Sequence, residues 1–370
     1  MPKPEGLYIH VPFCRKKCGY CDFYSVPGTQ EDYDRYTDQV CQMLLDCPFG
    51  SRVFDTVYFG GGTPSLLGAR NIDRILQAAA SRHTLTGREI TLEANPNTVD
   101  GAFFGDIHRS GVNRVSMGLQ AAQPLLLHTL GRSHTPGDVT RAVELARGAR
   151  IENISLDVML SLPGQTLEDI LQTLQFCIEL EVPHISAYLL KIEEGTPFDC
   201  QDVRGLCPDE DLQSEHYYRM VCFLEHHGLL QYEISNFSRP GFESQHNLGY
   251  WKLVPYLGLG PAAHSFLDGK RFHFERDLPA FLAAKDPWSL RQDDGPGGDF
   301  TEFAMLRLRL REGLNLDEAQ AYYGVDKEQF LFRAQRFIPL GLVQQSGSSL
   351  RLTPRGFLLS NPLIARLLGD

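Results

Sequence analysis

The chain has 370 residues, 42% of them hydrophobic and 22% charged, with a formal net charge of −11 at pH 7. That apolar content fills one large core plus a smaller satellite domain, while no apolar run approaches the ~20 residues that span a bilayer. The acidic balance, with no Lys/Arg run that stands out, argues against nucleic acid as a partner and reads as plain solubility.

The opening, MPKPEGLYIHVPF, lacks the apolar segment of a signal peptide, so a cytoplasmic location is expected. Nine cysteines, an odd number, make a poor disulfide framework and suit a reducing compartment. Apolar, β-branched or aromatic runs follow in order: LYIHVPF (7–13), VYFGGG (57–62), EITLEANP (89–96), RVSMGLQ (114–120), ISLDVML (154–160) and HISAYLL (184–190). Amphipathic stretches lie near 31–46, 70–81, 101–110, 136–149, 166–180 and 209–227. Strand–helix alternation repeated this way implies right-handed βαβ units and a parallel sheet. The near-continuous runs predict strands buried on both faces. A partial (β/α)6 TIM-type barrel is the expected closure, with a doubly wound sheet as the alternative.

After Tyr232 the pattern changes to strand and loop, through YEISNFSRPG and YLGLGPAAHSF. DPWSLRQDDGPGGD (286–299) collects Pro, Gly and Asp and reads as a linker. Beyond it, EFAMLRLRLREG, LDEAQAYYG and QFLFRAQRFIPLG read as helices and LVQQSGSSLRLTPRG as a hairpin, together a small helical, winged-helix-like domain. The expected division is therefore 1–285, a linker at 286–299, and 300–370. Residues 300–370 carry nine Lys and Arg against seven Asp and Glu, too small an excess for a DNA reader, so docking is the expected role.

Cys14, Cys18 and Cys21 are spaced C-x3-C-x2-C directly after the first strand. This places them on a loop at the strand's C-terminal end, the rim where β/α barrels carry their chemistry. Structural zinc wants four closed ligands, and position 23 is Phe. Three thiolates suit a cubane iron–sulfur cluster with one iron left open; an incomplete zinc site and chance spacing are the alternatives. GGGTPSLL (60–67) is either a tight βα turn or a place where backbone approaches a ligand closely. Glu93, Gln120 and Asp157 lie in or at the ends of apolar strands, and burying them costs several kcal/mol without partners. They bind something, or Arg132 and Asp157 form an interior ion pair. In SNFSRPGFESQHNLGYW, the HNLGYW segment (246–251) reads either as a packed aromatic cluster with a satisfied His or as a ligand site. His264 in GPAAHSF has no assigned role. Cys41, Cys47, Cys177, Cys200, Cys207 and Cys222 lack metal spacing and read as structural.

YIHVPFCRKKCGYCDF resembles the signature of radical SAM proteins, and specifically of the oxygen-independent coproporphyrinogen III oxidase-like (HemN-like) branch, over nearly the whole chain. The resemblance implies a [4Fe-4S] cluster on Cys14, Cys18 and Cys21. It also implies S-adenosylmethionine (SAM) held by Tyr8, Gly61, Gly62, Thr63, Glu93, Gln120, Arg132 and Asp157, with Tyr20 against the adenine. True oxidases of the branch carry a further Cys where this chain has Phe23, and a longer segment before the first strand, so coproporphyrinogen oxidation is not expected. HNLGYW is similar to the H-N-x-x-Y-W motif of the haem-chaperone family of this branch. That similarity implies haem as cargo, with His246 as axial ligand, Asn247 orienting it, and Tyr250 and Trp251 against the macrocycle. It further implies transfer to an acceptor protein, respiratory and membrane-associated. The alternatives are a radical SAM enzyme acting on a tetrapyrrole and a haem-binding module with a vestigial cluster. Glu93, Arg132 and Asp157 argue against the latter.

Overall fold

Threonine opens three of the long helices in one way. In a computed structural model, which describes residues 4–369, Thr29, Thr135 and Thr166 each cap the backbone N–H three residues on. The Asp found there returns the bond in a capping box. Around these starts the chain alternates β1 (Glu5–Val11), α1 (Gln30–Leu45), β2 (Val53–Gly61), α2 (Gly68–Arg82), β3 (Thr84–Ala94), α3 (Gly101–Arg109) and β4 (Arg114–Gln120). It continues through α4 (Pro124–Thr129), α5 (Pro136–Gly148), β5 (Asn153–Leu160), α6 (Leu167–Glu179) and β6 (His184–Leu189). The six strands pair parallel in chain order, which gives the expected partial barrel.

After α7 (Gln201–Arg204) and α8 (Glu210–His226), the short β7 (Leu230–Gln231) and β8 (Asn236–Ser238) add antiparallel strands beside β6. Helix α9 (Gln245–Trp251) then leads to β9 (Tyr256–Leu259), which pairs parallel with the other edge strand, β1. Beyond β9 the sheet runs on antiparallel through β10 (His264–Leu267), β11 (Lys270–Phe274) and, after α10 (Leu278–Ala283), β12 (Arg291–Pro296). The result is one twelve-stranded sheet with β12 and β7 at its two edges. Residues 286–299 are thus not a free linker. They form a short 3-10 turn (Pro287–Leu290) and the edge strand β12. Free ladder groups on β11 capture this Gly- and Asp-rich segment, and its mostly exposed charged side chains suit a protected sheet edge.

The C-terminal unit contains α11 (Phe300–Arg307), β13 (Leu314–Asn315), α12 (Leu316–Tyr323) and α13 (Lys327–Ala334). The hairpin β14 (Val343–Ser346) and β15 (Ser349–Leu352) turns at Gly347 and Ser348, within the expected SGSS, and α14 (Pro354–Leu358) and α15 (Ser360–Leu368) end it. The unit docks through the backbone: Ile234 N–H donates to the Arg309 carbonyl at 3.1 Å and Arg311 N–H to that of Tyr232 at 3.0 Å. Among the described residues no helix is long and apolar enough to cross a membrane.

The parallel registers settle which side chains face inward. Partners across a ladder share a face. Tyr8 pairs with Tyr58, Glu93 with Ser116, Ser116 with Ser155, and Gly118 with Asp157, itself beside Ser186. The concave face is therefore polar. Leu7, Ile9 and Val11 alternate with Tyr8 and His10 and are fully buried, in one core with Tyr36 and Val40 of α1. Each such buried aliphatic contributes about 1.5–3 kcal/mol. The strands are buried on both faces, as their near-continuous runs suggested, but the runs also conceal a two-residue period of apolar and polar positions, because Tyr, Met and Gly interrupt it little.

Candidate functional site

The loop after β1 is tied back onto the glycine turn after β2. Thr63 N–H donates to the Phe13 carbonyl at 2.7 Å and Gly62 N–H to the Val11 carbonyl at 2.8 Å. A Cβ on Gly62 would lie 2.5 Å from the Phe13 oxygen, so no larger residue fits this approach. The contact brings Cys14 Sγ to 3.4 Å from Thr63 Oγ1. Cys14 and Val26 close the loop's base, with Cys14 N–H on the Val26 carbonyl at 3.1 Å. A turn joins Cys18 and Cys21, whose N–H donates to the Cys18 carbonyl at 3.3 Å. Burial pushes the Cys21 thiol up, and the neighbouring Cys18 and Cys14 add to this. A cysteine thiol that resists ionising in this way becomes a thiolate readily beside a metal cation.

Arg132 reaches this loop from the segment between α4 and α5. Its Nη1 lies 3.8 Å from Cys18 Sγ and its Nη2 donates to the Gly118 carbonyl at 3.3 Å, while its buried Nε has no partner. The interior ion pair with Asp157 does not form; Arg132 is committed to the cysteine loop and to Gly118. Gly118 makes room for this: a Cβ there would sit 2.5 Å from Gln120 Nε2 and 2.7 Å from Arg132 Nη2. Just beyond it, the β4–β5 register slips and Gln120 takes φ 68°, a bulge that re-aims the side chain at the strand's end. Tyr20 sits against Phe198, ring centroids 6.2 Å apart, with Phe198 N–H bonded to the Gly19 carbonyl at 3.0 Å.

Below the rim, Tyr58 OH donates to Glu93 Oε1 at 2.7 Å. Burial raises Glu93 to about 7, against the lowering effect of Tyr58. Asp157 is likewise raised by burial and accepts from Ser116 at 3.2 Å. Tyr8 OH shares a 2.9 Å hydrogen bond with His10 Nδ1. Tyr8, Glu93 and Asp157 lie on the polar face of the sheet, Gly61, Gly62 and Thr63 on the turn after β2, and Gln120 and Arg132 beside Gly118 near the cysteine loop. The donor set fits the implied groups: three thiols for a cluster, an unpartnered guanidinium Nε for a carboxylate, and raised carboxyls for donor groups. Arg114 escaped sequence reasoning. It is fully buried at the head of β4, with Nε and Nη1 unpartnered. The signal was a charge opening an otherwise apolar strand.

HNLGYW lies at the opposite end of the barrel, and there His246 is bonded within the chain. His246 is 2% exposed, with Nδ1 bonded to Thr56 Oγ1 at 2.8 Å and Nε2 to Tyr250 OH at 2.8 Å. Its ring stacks on Tyr58 at 5.1 Å, and burial lowers it to about 3, so it is neutral. Both ring nitrogens are engaged within the chain. Glu89 holds the start of α9, accepting from Gln245 N–H at 2.8 Å and His246 N–H at 3.0 Å. Thr56 and Tyr250 orient the imidazole, not Asn247, whose N–H is capped by Ser244 Oγ at 3.4 Å. Trp251 is half-buried at the end of α9. The segment packs as an aromatic cluster around the His246 ring.

The chain matches the model of the Radical SAM superfamily over residues 8–177 and that of the HemN C-terminal domain over 299–359. It is 36% identical to the Escherichia coli (strain K12) protein named heme chaperone HemW, covering 99% of both chains. It is 34% identical to the heme chaperone HemW of Mycobacterium tuberculosis, over 99% of this chain and 95% of that one. The solved coproporphyrinogen III oxidase (HemN) of Escherichia coli matches with a TM-score of 0.83 at 19% identity, over 99% of this chain and 90% of that one, a likeness of fold.

Proposed function

The chain belongs to the HemW family of radical SAM proteins, and from that premise we propose that it is a cytoplasmic haem chaperone. It binds a [4Fe-4S] cluster, SAM and haem, and hands the haem to an acceptor protein, respiratory and membrane-associated. The observation that carries the cofactor reading is the unpartnered, buried Nε of Arg132 held beside Cys18. Cys14, Cys18 and Cys21 would hold the cluster, which supplies an open iron for the amino and carboxylate groups of SAM. Arg132 offers its free N–H to an anion. Glu93 and Asp157 accept hydrogen bonds from the ligand's amino and hydroxyl donors, and Tyr58 and Ser116 fix their orientation. Gln120, re-aimed by its bulge, faces the same space, and Tyr20 closes it from the loop side. Phe23, 67% exposed in place of the oxidases' extra thiol, supports cargo handling over coproporphyrinogen oxidation.

The test is anaerobic reconstitution followed by separate titrations. SAM is expected to alter the EPR spectrum of the reduced cluster. Hemin is expected to bind at about one per chain and move to an apo-acceptor, the one-per-chain figure being the order of a single axial site. A reduced-cluster spectrum indifferent to SAM would defeat the cofactor reading, and absence of hemin binding would defeat the cargo reading.

A further inference from the structure

If the cargo is haem and His246 is closed to it, another group must meet the iron. A cleft of about 270 Å³ opens on the barrel side formed by β1, β9 and β10. Its walls include Phe23, Tyr24, Tyr250, Tyr256, His264 and Arg276. Their chemistry matches the parts of a metalloporphyrin: aromatic faces for the macrocycle, a cation for a propionate and an imidazole for iron.

Two histidines face this cleft, and they differ in availability. His10 is buried, with Nδ1 on Tyr8 OH at 2.9 Å and Nε2 on the Tyr24 carbonyl at 3.2 Å. His264 is exposed, and no hydrogen bond engages its ring among the described residues. It stands on the first residue of β10, its ring stacked on that of His273 across the β10–β11 ladder, centroids 5.1 Å apart. His273 is fixed from behind by Asp294 on β12, Nδ1 to Oδ1 2.8 Å. The imidazole of His264 is therefore rigidly backed and open in front, as an axial ligand requires. Arg276 forms no ion pair among the described residues, although it lies near enough to His10 and His264 to disfavour their protonation. An unpaired cation beside an unpaired imidazole at an aromatic cleft fits an anionic metalloporphyrin.

We infer that His264 is the axial haem ligand of this protein, with Arg276 receiving a propionate and Tyr250 and Tyr256 lining the macrocycle's face. The inference rests on the haem-chaperone reading and names the ligand within it. It also gives HNLGYW a role. Tyr250 lines the cleft while its hydroxyl is anchored on His246 Nε2, so His246 is a positioning residue that sets the cleft's floor. Placing the iron ligand on an edge extension of the sheet leaves the haem accessible from solvent, which release to an acceptor needs.

The experiment titrates hemin into the full chain with its cluster oxidised and therefore EPR-silent, so that the ferric haem signal is read alone. His264→Ala is expected to weaken binding ~10- to 100-fold, the loss of one strong polar anchor, and to change the haem EPR g-values. Added imidazole is expected to restore the parent spectrum in that variant, which a merely structural role would not allow. His246→Ala is expected to keep an imidazole-ligated ferric signal but to weaken hemin binding, because Tyr250 loses its anchor. If the parent chain binds hemin and His264→Ala matches it in affinity and spectrum, the ligand assignment is wrong. If the parent chain binds no hemin at all, the chaperone reading fails instead, whatever the variants do.

Discussion

The cysteine loop and helix α9 are both short polar motifs rich in metal-ligating residue types, yet they end in opposite states. In the loop, Cys14, Cys18 and Cys21 are part-exposed and the adjoining Arg132 keeps a buried Nε unpartnered. In α9, both nitrogens of His246 and both oxygens of its cap, Glu89, are bonded within the chain. Buried polar groups are nearly always satisfied. A buried group left unsatisfied near chemistry-bearing residues points to a missing ligand, and a saturated one points to structure. The C-x3-C-x2-C and H-N-x-x-Y-W patterns each report which residue types are present; hydrogen-bond saturation reports whether they are available.

Replacing Cys14, Cys18 and Cys21 together by Ala tests the open side of this comparison and carries the largest expected effect. All cluster iron is expected to be lost after anaerobic reconstitution, with the thermal midpoint of the apo chain nearly unchanged, because these thiols pack little core. Retained iron would break the comparison at its stronger end.

His246→Ala tests the closed side. It removes two hydrogen bonds to the buried groups Thr56 and Tyr250 and opens a void beneath Tyr58, so a loss of about 2–4 kcal/mol in unfolding free energy is expected. Denaturant melts at fixed m-value read this directly. The cluster should load normally. A variant as stable as the parent would mean that α9 is not the floor its bonding pattern describes.

The difference between the motifs also accounts for what was legible in the sequence. The cysteine loop is local: its ligands lie within eight positions and directly follow a strand. The six βα units were equally legible, since apolar runs and amphipathic stretches are properties of adjacent residues. His246 was not, because its partners Thr56 and Glu89 lie 190 and 157 positions away. Nothing local reveals that a Gly-, Ser- and Asn-rich segment folds inward. The β10–β12 extension was missed for a related reason. A Pro-, Gly- and Asp-rich segment becomes a strand only when a neighbouring edge offers it a ladder. Arg114 and the bulge at Gln120 depend on sheet register, which single runs do not display.

Arg132→Ala sharpens the comparison at one atom. It removes the unpartnered Nε along with the contact to Cys18, and a hydrogen bond to a charged group is worth about 1.5–3 kcal/mol, so SAM affinity should fall roughly ten- to hundredfold. Iron content should remain at the parent's level. Calorimetric titration with SAM gives the number, and unchanged affinity would show that the orphaned Nε serves no ligand.

The smallest effect expected is a pH dependence, and its sign separates two roles for Glu93. Burial holds this carboxyl at about 7, above its ordinary value of 4.5, so the folded apo chain binds a proton over that interval that the unfolded chain has lost. Linkage then makes apo stability fall as pH rises from 4.5 through 7. Binding of SAM runs the other way if Glu93 accepts hydrogen bonds as a carboxylate. Below 7 each bound ligand must displace the proton, at about 1.4 kcal/mol per pH unit, so affinity should rise roughly tenfold between pH 6 and pH 8 and then level off. Asp157, raised by the same burial, adds a slope of the same sign. In Glu93→Gln both trends should flatten: apo stability loses its decline, and SAM binding loses most of its gain. Melts and titrations across that range test the pair together. If stability flattens in Glu93→Gln while the pH dependence of SAM binding persists, Glu93 belongs with the saturated groups of the floor, and the open region shrinks to the cysteine loop, Arg132 and Asp157.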